Sequence, residues 1–161
     1  MFLPALRKVR SISSDTKGGS LAGSEFSYED LAAHSLGDYR YSPNVSSVTY
    51  QGKEAVQYSR YPNDPDSYYS RQDVVIDTHT FIMYKIDFYD QKSDLYKTLV
   101  LDMYHQVEEL WRFQRATMHN HLNGNRSIFY VSSEQMNTGL SPDDFDRELL
   151  EKEMKKTRCI R

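Results

Sequence analysis

The sequence is short of cysteine, of long apolar runs and of charge of one sign. Cys159 is the only cysteine among 161 residues, so no disulfide forms within the chain. No apolar stretch approaches the roughly 20 residues that a membrane-spanning helix needs, and the N-terminus lacks the apolar core of a signal peptide. A formal net charge of −3 provides no broad basic field for nucleic acid. We therefore expect one domain over residues 1–161, with a frayed basic tail at 155–161.

The motifs of common catalytic and nucleotide-binding sites are also missing. The glycine-rich stretch 15–24 departs from a phosphate-binding loop, because Lys17 precedes Gly18 and Gly19 and no basic residue directly follows Gly23. No G-x-S-x-G elbow is present to expose a nucleophilic serine. We therefore assign no catalytic residue and no cofactor, and we interpret the glycine-rich stretch as a flexible flap.

Two histidines are the best candidates for metal ligands. His119 and His121 lie two apart on a predicted strand, so both rings project from one face, a spacing that can chelate zinc or copper. No third ligand stands out beside them in the sequence. We assign no metal and interpret the pair as part of a polar sheet face near a turn. Asp73, Asp77 and Asp87 lie at predicted strand positions and likewise fit a solvated face.

The strongest structural signal is a run of strands between Arg71 and Met136. In Phe81–Tyr89, apolar and polar residues alternate with the period of two that marks a half-buried strand. Polar turns divide the stretch, and Asn123 with Gly124 supplies the tightest of them. The pattern predicts five antiparallel strands in meander order, at 71–77, 81–89, 95–103, 111–121 and 127–133.

The elements outside the meander are shorter. Phe2–Ile12 predicts an edge strand, interrupted by a proline that cannot donate a hydrogen bond. Ser27, followed by two acidic residues, predicts the start of a short helix that ends at Gly37. Ser141 and Pro142 predict the start of an amphipathic C-terminal helix. Further strands are predicted at 39–42, 47–50 and 54–61.

The apolar face of the predicted sheet has to be covered. Either helices pack on it as an ordinary core, or it forms a cavity that holds an apolar ligand. The candidate ligand-binding residues on this face are Ile82, Tyr84, Ile86, Phe88, Leu99, Leu101, Met103, Trp111 and Phe113.

Four segments together resemble the LolA-like outer-membrane lipoprotein-sorting family. They are Leu3–Arg10 (Leu-Pro-Ala-Leu-Arg-Lys-Val-Arg), Lys17–Leu31, the strand pair with Phe88-Tyr89-Asp90 and Leu95–Leu99, and Asn137–Ser141. The resemblance covers most of the chain.

This resemblance implies a mainly β (α+β) fold, an unclosed antiparallel β-barrel or strongly curved sheet with short helices over its concave face. It implies a periplasmic protein that receives the acyl chains of lipids or lipoproteins on that face, without catalysis. It also makes residues 17–31 a lid over the cavity. The candidate lid residues are Lys17, Gly18, Gly19, Leu21, Gly23, Phe26, Tyr28 and Leu31.

The chain departs from the family pattern at both ends. Family members usually have a signal peptide, a helix and several strands before the Leu-Pro-Ala-Leu segment, whereas this chain begins almost at that segment. It therefore resembles the C-terminal part of the family's domain, and we expect residues 2–12 to pair with a second copy or with a missing N-terminal segment. The basic tail with Cys159 has no counterpart in the family pattern.

The function expected from the sequence is that of a periplasmic carrier or binding module for lipid or lipoprotein. The alternative is a ligand-free interaction protein, or adaptor, of an envelope transport complex. An unrecognised hydrolase has the least support. Retention of lipid by the purified protein would separate the first two, since only a carrier holds cargo.

Overall fold

The computed structural model describes residues 2–3, 8–9 and 16–146. The chain divides into two compact units, one formed by Lys17–Ser133 and the other by Met1–Thr16 together with Glu134–Arg161. The strands in the described residues are β1 (Phe2–Leu3), β2 (Lys8–Val9), β3 (Tyr39–Tyr50), β4 (Lys53–Pro62), β5 (Arg71–Asp77), β6 (Met83–Tyr89), β7 (Leu95–Asp102), β8 (His105–Val107), β9 (Leu110–Arg112), β10 (Arg115–Asn120) and β11 (Arg126–Tyr130).

Seven strands of the Lys17–Ser133 unit form one antiparallel sheet, in the order β11-β10-β7-β6-β5-β4-β3. Each strand pairs with the next one along the chain, except that the hairpin β8–β9 is inserted between β7 and β10. The end strands β3 and β11 do not pair with each other among the described residues. The predicted antiparallel meander is therefore confirmed, and so is its failure to close into a barrel.

Two strand predictions need correction. The single strand predicted at 111–121 is wrong, because β9 ends at Arg112 and pairs with β8, while β10 begins at Arg115 and pairs with β7. The two pieces predicted at 39–42 and 47–50 are one strand, β3, with a register shift between Tyr41 and Val45. Pro43 lies at that shift and has no N–H to donate, which explains why the sequence pattern breaks there.

The helix predicted after Ser27 is wrong, since residues 28–31 form turns and no α-helix lies in the described part of the chain. The capping signal itself is present: the Asp30 N–H donates to the Ser27 hydroxyl at 3.2 Å, and the Ser27 N–H donates to the Asp30 carboxylate at 2.7 Å. The first helical turn after Ser27 in the described residues is the 3-10 turn Leu36–Asp38. Short helices over the face of the sheet are therefore not confirmed.

In its described residues, the Met1–Thr16 and Glu134–Arg161 unit contains a small antiparallel strand pair and a 3-10 turn. Phe2 pairs with Val9 and Leu3 with Lys8, so a continuous edge strand over residues 2–12 is wrong. Pro142–Phe145 is a 3-10 turn that begins where the C-terminal helix was predicted. The remainder of that predicted helix, and the tail at 155–161, lie outside the described residues.

The two faces of the seven-stranded sheet carry different side chains. We call the side with Val74, Ile86, Phe88, Ala116 and Met118 the covered face, because these residues form one buried apolar cluster. The other side is the opposite face. Successive residues of a strand point to opposite sides, so Val74 and its neighbour Val75 mark the two faces, and Val75 belongs to a second, smaller cluster.

A β-bulge in β6 divides residues that the sequence places together. Val75 pairs with Lys85 and Ile76 with Met83, so Tyr84 is the extra residue. Tyr84 packs with Val75 and Ala55 in the opposite-face cluster, and Ile82 packs against them. The expectation that Ile82 and Tyr84 share one face with Ile86 and Phe88 is therefore wrong.

We predict that Ile86→Asp lowers the free energy of unfolding by about 3–5 kcal/mol, because it places an unpaired carboxylate in the covered-face cluster. Lys85→Met is the matched control on the other side of the same strand, where Lys85 and Asp87, 28% and 16% exposed, form an ion pair at 2.6 Å. That pair contributes about 1 kcal/mol or less. Urea denaturation measures both variants, and equal losses would contradict this assignment of the two faces.

Candidate ligand-binding face

The covered face is an apolar surface whose centre is fully buried. Val74 and Met118 have no exposed area, and Ile86 and Phe88 retain 5% and 4%. Two aromatic side chains from outside the strands cover this centre: Phe26, from the segment before β3, and Tyr69, from the segment before β5. The Tyr69 and Phe88 rings lie 4.6 Å apart between centroids. The face is therefore covered by the chain's own aromatic rings.

A ring of half-buried apolar residues surrounds this centre. Their side chains pack against the buried cluster but keep part of their surface exposed. They are Leu21, Tyr58, Ile76, Met83, Tyr96, Leu99, Leu101 and Phe113. These residues offer apolar surface at the margin of the face, next to the segment that covers it.

The structure brings together about half of the candidate ligand-binding residues. Ile86 and Phe88 lie at the buried centre of the covered face, and the half-buried Leu99, Leu101 and Phe113 lie at its margin. The others lie elsewhere. Ile82 and Tyr84 belong to the opposite-face cluster, whereas Met103 and Trp111 are 50% and 42% exposed outside both clusters.

The segment predicted as a lid does pass over the covered face. We call residues 17–34 the covering loop; Leu21 and Phe26 are its apolar contacts with the sheet cluster. Gly18 lies so close to the Tyr68 ring that an added Cβ would meet it at 2.3 Å, so a larger residue would require the 44% exposed Tyr68 side chain to shift. Lys17 forms an ion pair with Asp64. The remaining lid candidates differ: Gly19 and Gly23 are exposed, Tyr28 is half-buried and Leu31 is 51% exposed.

Glu25 fastens the covering loop to β10 and β11. Its carboxylate accepts hydrogen bonds from the side-chain amides of Asn120 at 2.7 Å and Asn123 at 3.4 Å, and its backbone N–H donates to the Ser127 hydroxyl at 2.9 Å. The hydrogen bond from Asn120 is the main cause that lowers the pKa of Glu25 below its ordinary value. The carboxylate is therefore anionic at neutral pH and holds both amides.

Glu29 fastens the loop at a second point, to the segment before β5. One of its carboxylate oxygens accepts a hydrogen bond from the Ser67 hydroxyl at 2.5 Å, and the other accepts one from the Tyr68 backbone N–H at 3.1 Å. Glu29 and Ser67 are both buried. Hydrogen bonds to a charged acceptor contribute roughly 1.5–3 kcal/mol each, so this contact opposes displacement of the loop strongly.

Asp30 and Lys97 form an ion pair beneath the covering loop. Their charged atoms are 3.5 Å apart, and their side chains are only 1% and 5% exposed. The Asp30 carboxylate also accepts the Tyr69 hydroxyl at 2.5 Å. Burial is the largest cause that raises the pKa of Tyr69 well above 10, and the adjoining Asp30 carboxylate raises it further. Tyr69 therefore stays a neutral donor to Asp30.

These polar contacts were missed by sequence reasoning, which interpreted Glu29 and Asp30 as the acidic first turn of a helix. A signal for one of them exists. Lys97 interrupts the otherwise apolar series of Leu95, Leu99 and Leu101 in β7, and a lysine on an apolar face needs a buried partner. The partner carboxylate, Asp30, lies in the covering loop 67 residues earlier in the chain. No local sequence pattern predicts this contact.

The opposite face carries a row of polar side chains beyond its apolar cluster. Asp73 accepts the Ser59 hydroxyl at 2.7 Å, and Asp87 accepts the Thr98 hydroxyl at 2.7 Å. The Thr98 hydroxyl also lies 2.8 Å from Nε2 of His121. Asp73 and Asp87 therefore each accept a hydrogen bond from a neighbouring strand and do not depend on solvent alone.

Within the described ranges no group of three or more histidine, cysteine, aspartate or glutamate side chains could hold a metal ion. Nor does any helix in the described part of the chain have the length and hydropathy required to cross a membrane.

Comparison with known proteins identifies the family. A domain from Vibrio parahaemolyticus assigned to outer membrane lipoprotein sorting superposes with a TM-score of 0.88 and 35% identity, over 93% of this chain and 64% of that one. The model of a family described as an uncharacterized protein matches residues 1–152. The chain belongs to the family of that model, and its similarity to a lipoprotein-sorting domain matches the LolA-like resemblance of the sequence.

Two further structures are similar to this LolA-like chain. A DUF1329 family protein from Desulfovibrio piger has a TM-score of 0.84 and 25% identity, over 92% of this chain and 62% of the other. A LolA superfamily protein from Nitrosomonas europaea, at 18% identity, has a TM-score of 0.71 over 83% of this chain and 60% of the other and shows the fold alone. The chain spans less than two thirds of these solved structures. No curated protein matches it.

We predict that Phe26→Ala releases the covering loop from the sheet. Removing a buried phenylalanine ring costs about 3–5 kcal/mol, which is comparable with the cost of breaking one of the loop's buried polar contacts. Hydrogen exchange should therefore speed up in residues 19–30 before it does so in β5 and β6. Leu31→Ala, which truncates a half-exposed side chain of the same loop, should change little. Uniform acceleration across the whole sheet would contradict local release.

We also predict that Lys97→Met costs about 3 kcal/mol or more, because it leaves the Asp30 carboxylate buried without its cation. The double variant Asp30→Asn with Lys97→Met should cost less than the sum of the two single changes. Urea denaturation of the four proteins measures this coupling. Lys17→Met, in the partly exposed pair with Asp64, is the control, with an expected cost of about 1 kcal/mol or less; a similar cost at Lys97 would refute the argument.

Proposed function

We propose that this LolA-like chain is a non-catalytic periplasmic binding module for the acyl chains of a lipid or lipoprotein, received on the covered face. The observation that carries the proposal is an open antiparallel sheet whose apolar face is covered in part by two apolar side chains of one loop, Leu21 and Phe26. The similar structures support the proposal, because one is an outer membrane lipoprotein-sorting domain and another, from the LolA superfamily, shares the fold.

Binding in this proposal requires the acyl chain to replace the loop's side chains on the sheet. The acyl chain first contacts the half-buried margin, which includes Leu99, Leu101 and Phe113. Entry toward Ile86 and Phe88 then displaces Phe26 and Leu21. Ligand and loop compete for one apolar surface, so bound and empty states differ in what covers the same residues.

The energies favour long acyl chains. Burial of about ten methylenes contributes about 8 kcal/mol at roughly 0.8 kcal/mol each. Displacing Leu21 and Phe26 costs roughly 3–6 kcal/mol at about 1.5–3 kcal/mol per side chain, and any polar contact of the loop that breaks adds to this cost. Only an acyl chain whose burial energy exceeds the combined cost of displacing these side chains and polar contacts binds stably. The polar contacts of Glu25, Glu29 and Asp30 thereby set a minimum ligand length.

We expect fatty-acid binding to strengthen steeply between about eight and sixteen carbons, and Leu99→Gln to weaken it, since the amide lowers the apolar character of the margin. Ile128→Gln is the matched control: Ile128 pairs with Thr117 on the opposite face and is 44% exposed. Displacement of a dansylated fatty acid measures both variants. Equal weakening, or no dependence on chain length, would contradict binding at the covered face.

A ligand-free adaptor is the second candidate, and strand β11 favours it. Ile128, Phe129 and Tyr130 are 44–56% exposed, and in the described residues β11 pairs only with β10. Such an edge can accept a partner strand. Solvent extraction of the purified protein followed by mass spectrometry separates the candidates, because a carrier retains stoichiometric lipid and an adaptor does not.

A further inference from the structure

A cleft of about 370 Å³ lies beside the opposite-face cluster, and of the residues proposed for acyl chains only Leu101 is among those that line it. Elements from five places in the chain meet there. Its aromatic and charged lining includes Tyr50 at the end of β3, Lys53 at the start of β4, Asp77 at the end of β5, Tyr84 in β6, and Tyr104 and Trp111 between β7 and β10.

Aromatic rings form much of the wall of this cleft. Tyr50 and Tyr84 stack with their centroids 5.3 Å apart, and Tyr104 meets Tyr84 edge to face at 6.3 Å. The Tyr104 hydroxyl donates to the Met83 carbonyl, which fixes that ring. Trp111 stands at the cleft with 42% of its surface exposed. Several π-faces are therefore held close to one space that a small ligand can enter.

The cleft also holds a fixed negative charge. The Asp77 carboxylate accepts the Tyr84 hydroxyl at 2.6 Å and the backbone N–H groups of His79 and Thr80 at 2.9 and 2.8 Å. These hydrogen bonds, that of Tyr84 first, hold the pKa of Asp77 far below its ordinary value. The second carboxylate of the lining, Asp102, is neutralised by two 2.6 Å hydrogen bonds from Arg115.

A cation already lies against this aromatic wall. The Lys53 ammonium is 5.7 Å from the centroid of the Tyr84 ring, within the range at which a ring face attracts a cation. Lys53 is exposed and forms no ion pair with any carboxylate in the described ranges. Its ammonium therefore lies against the ring face on a flexible stem that can move away.

We propose that the cleft is a binding site for an organic ammonium group, a primary amine or a quaternary ammonium, for which the Lys53 side chain is a tethered competitor. The aromatic wall attracts the cation and the Asp77 carboxylate balances its charge, the combination by which aromatic cages recognise choline-like groups. The cleft shares only Leu101 with the residues proposed for acyl chains, so binding of an ammonium group here does not depend on acyl-chain binding.

Choline is the test ligand, and 3,3-dimethyl-1-butanol is its uncharged counterpart of the same shape. Trp111 is the only tryptophan in the chain, so its fluorescence reports on the cleft directly. We expect a saturable change with choline and none with the alcohol. Lys53→Met should tighten choline binding by about fivefold, because it removes the competing ammonium. Lys92→Met, in an exposed turn, is the control and should leave the affinity unchanged.

Two further variants keep the test decisive. Asp77→Asn should weaken choline binding at least about fivefold; if it unfolds, as a thermal melt would reveal, Tyr50→Leu replaces it with the same expectation. The proposal is overturned by equal responses to choline and the alcohol, by a response only to a neutral sugar such as N-acetylglucosamine, or by the absence of a choline response in both the parent and the Lys53→Met protein.

Discussion

The buried contact between Asp30 and Lys97 is the constraint on which the rest of this LolA-like fold depends. An ammonium group on the apolar side of a central strand is tolerated only because a carboxylate meets it there. That carboxylate comes from the covering loop, so satisfying Lys97 requires the loop to lie across the sheet. Once it does, Phe26 reaches the apolar cluster, and Tyr69 both packs on Phe88 and donates to Asp30.

The amino-acid pattern predicted the sheet better than the site. Alternation with a period of two located β5, β6 and β7, and their meander order followed from short polar turns. It failed at Tyr84, because a bulge depends on how the neighbouring strand pairs and leaves no mark in the alternation. It failed again at Ser27, where the capping pair is real but Asp30 bonds to Lys97 and Tyr69 instead of continuing a helix. Long-range contacts overrode the local signal in both cases.

The same bulge gives one strand two different tasks. Ile86 and Phe88 contribute to the covered face, whereas Tyr84, two residues before Ile86, contributes to the aromatic cleft of the opposite face. Without the extra residue, strict alternation would place Tyr84 and Ile86 on the same side. The bulge thus creates two chemically distinct surfaces, one apolar and one aromatic with a fixed charge, from a single sheet.

The contact between Glu25 and Ser127 has a consequence for the order of folding. It joins residues 102 positions apart, and that between Glu25 and Asn120 joins residues 95 apart, whereas neighbouring strands of the meander are close in sequence. Closing a long loop costs entropy before its contacts form, so the hairpins assemble early and docking of the covering loop comes late. In this order of folding the sheet forms first, and its apolar face stays exposed to other hydrophobic molecules until the covering loop docks.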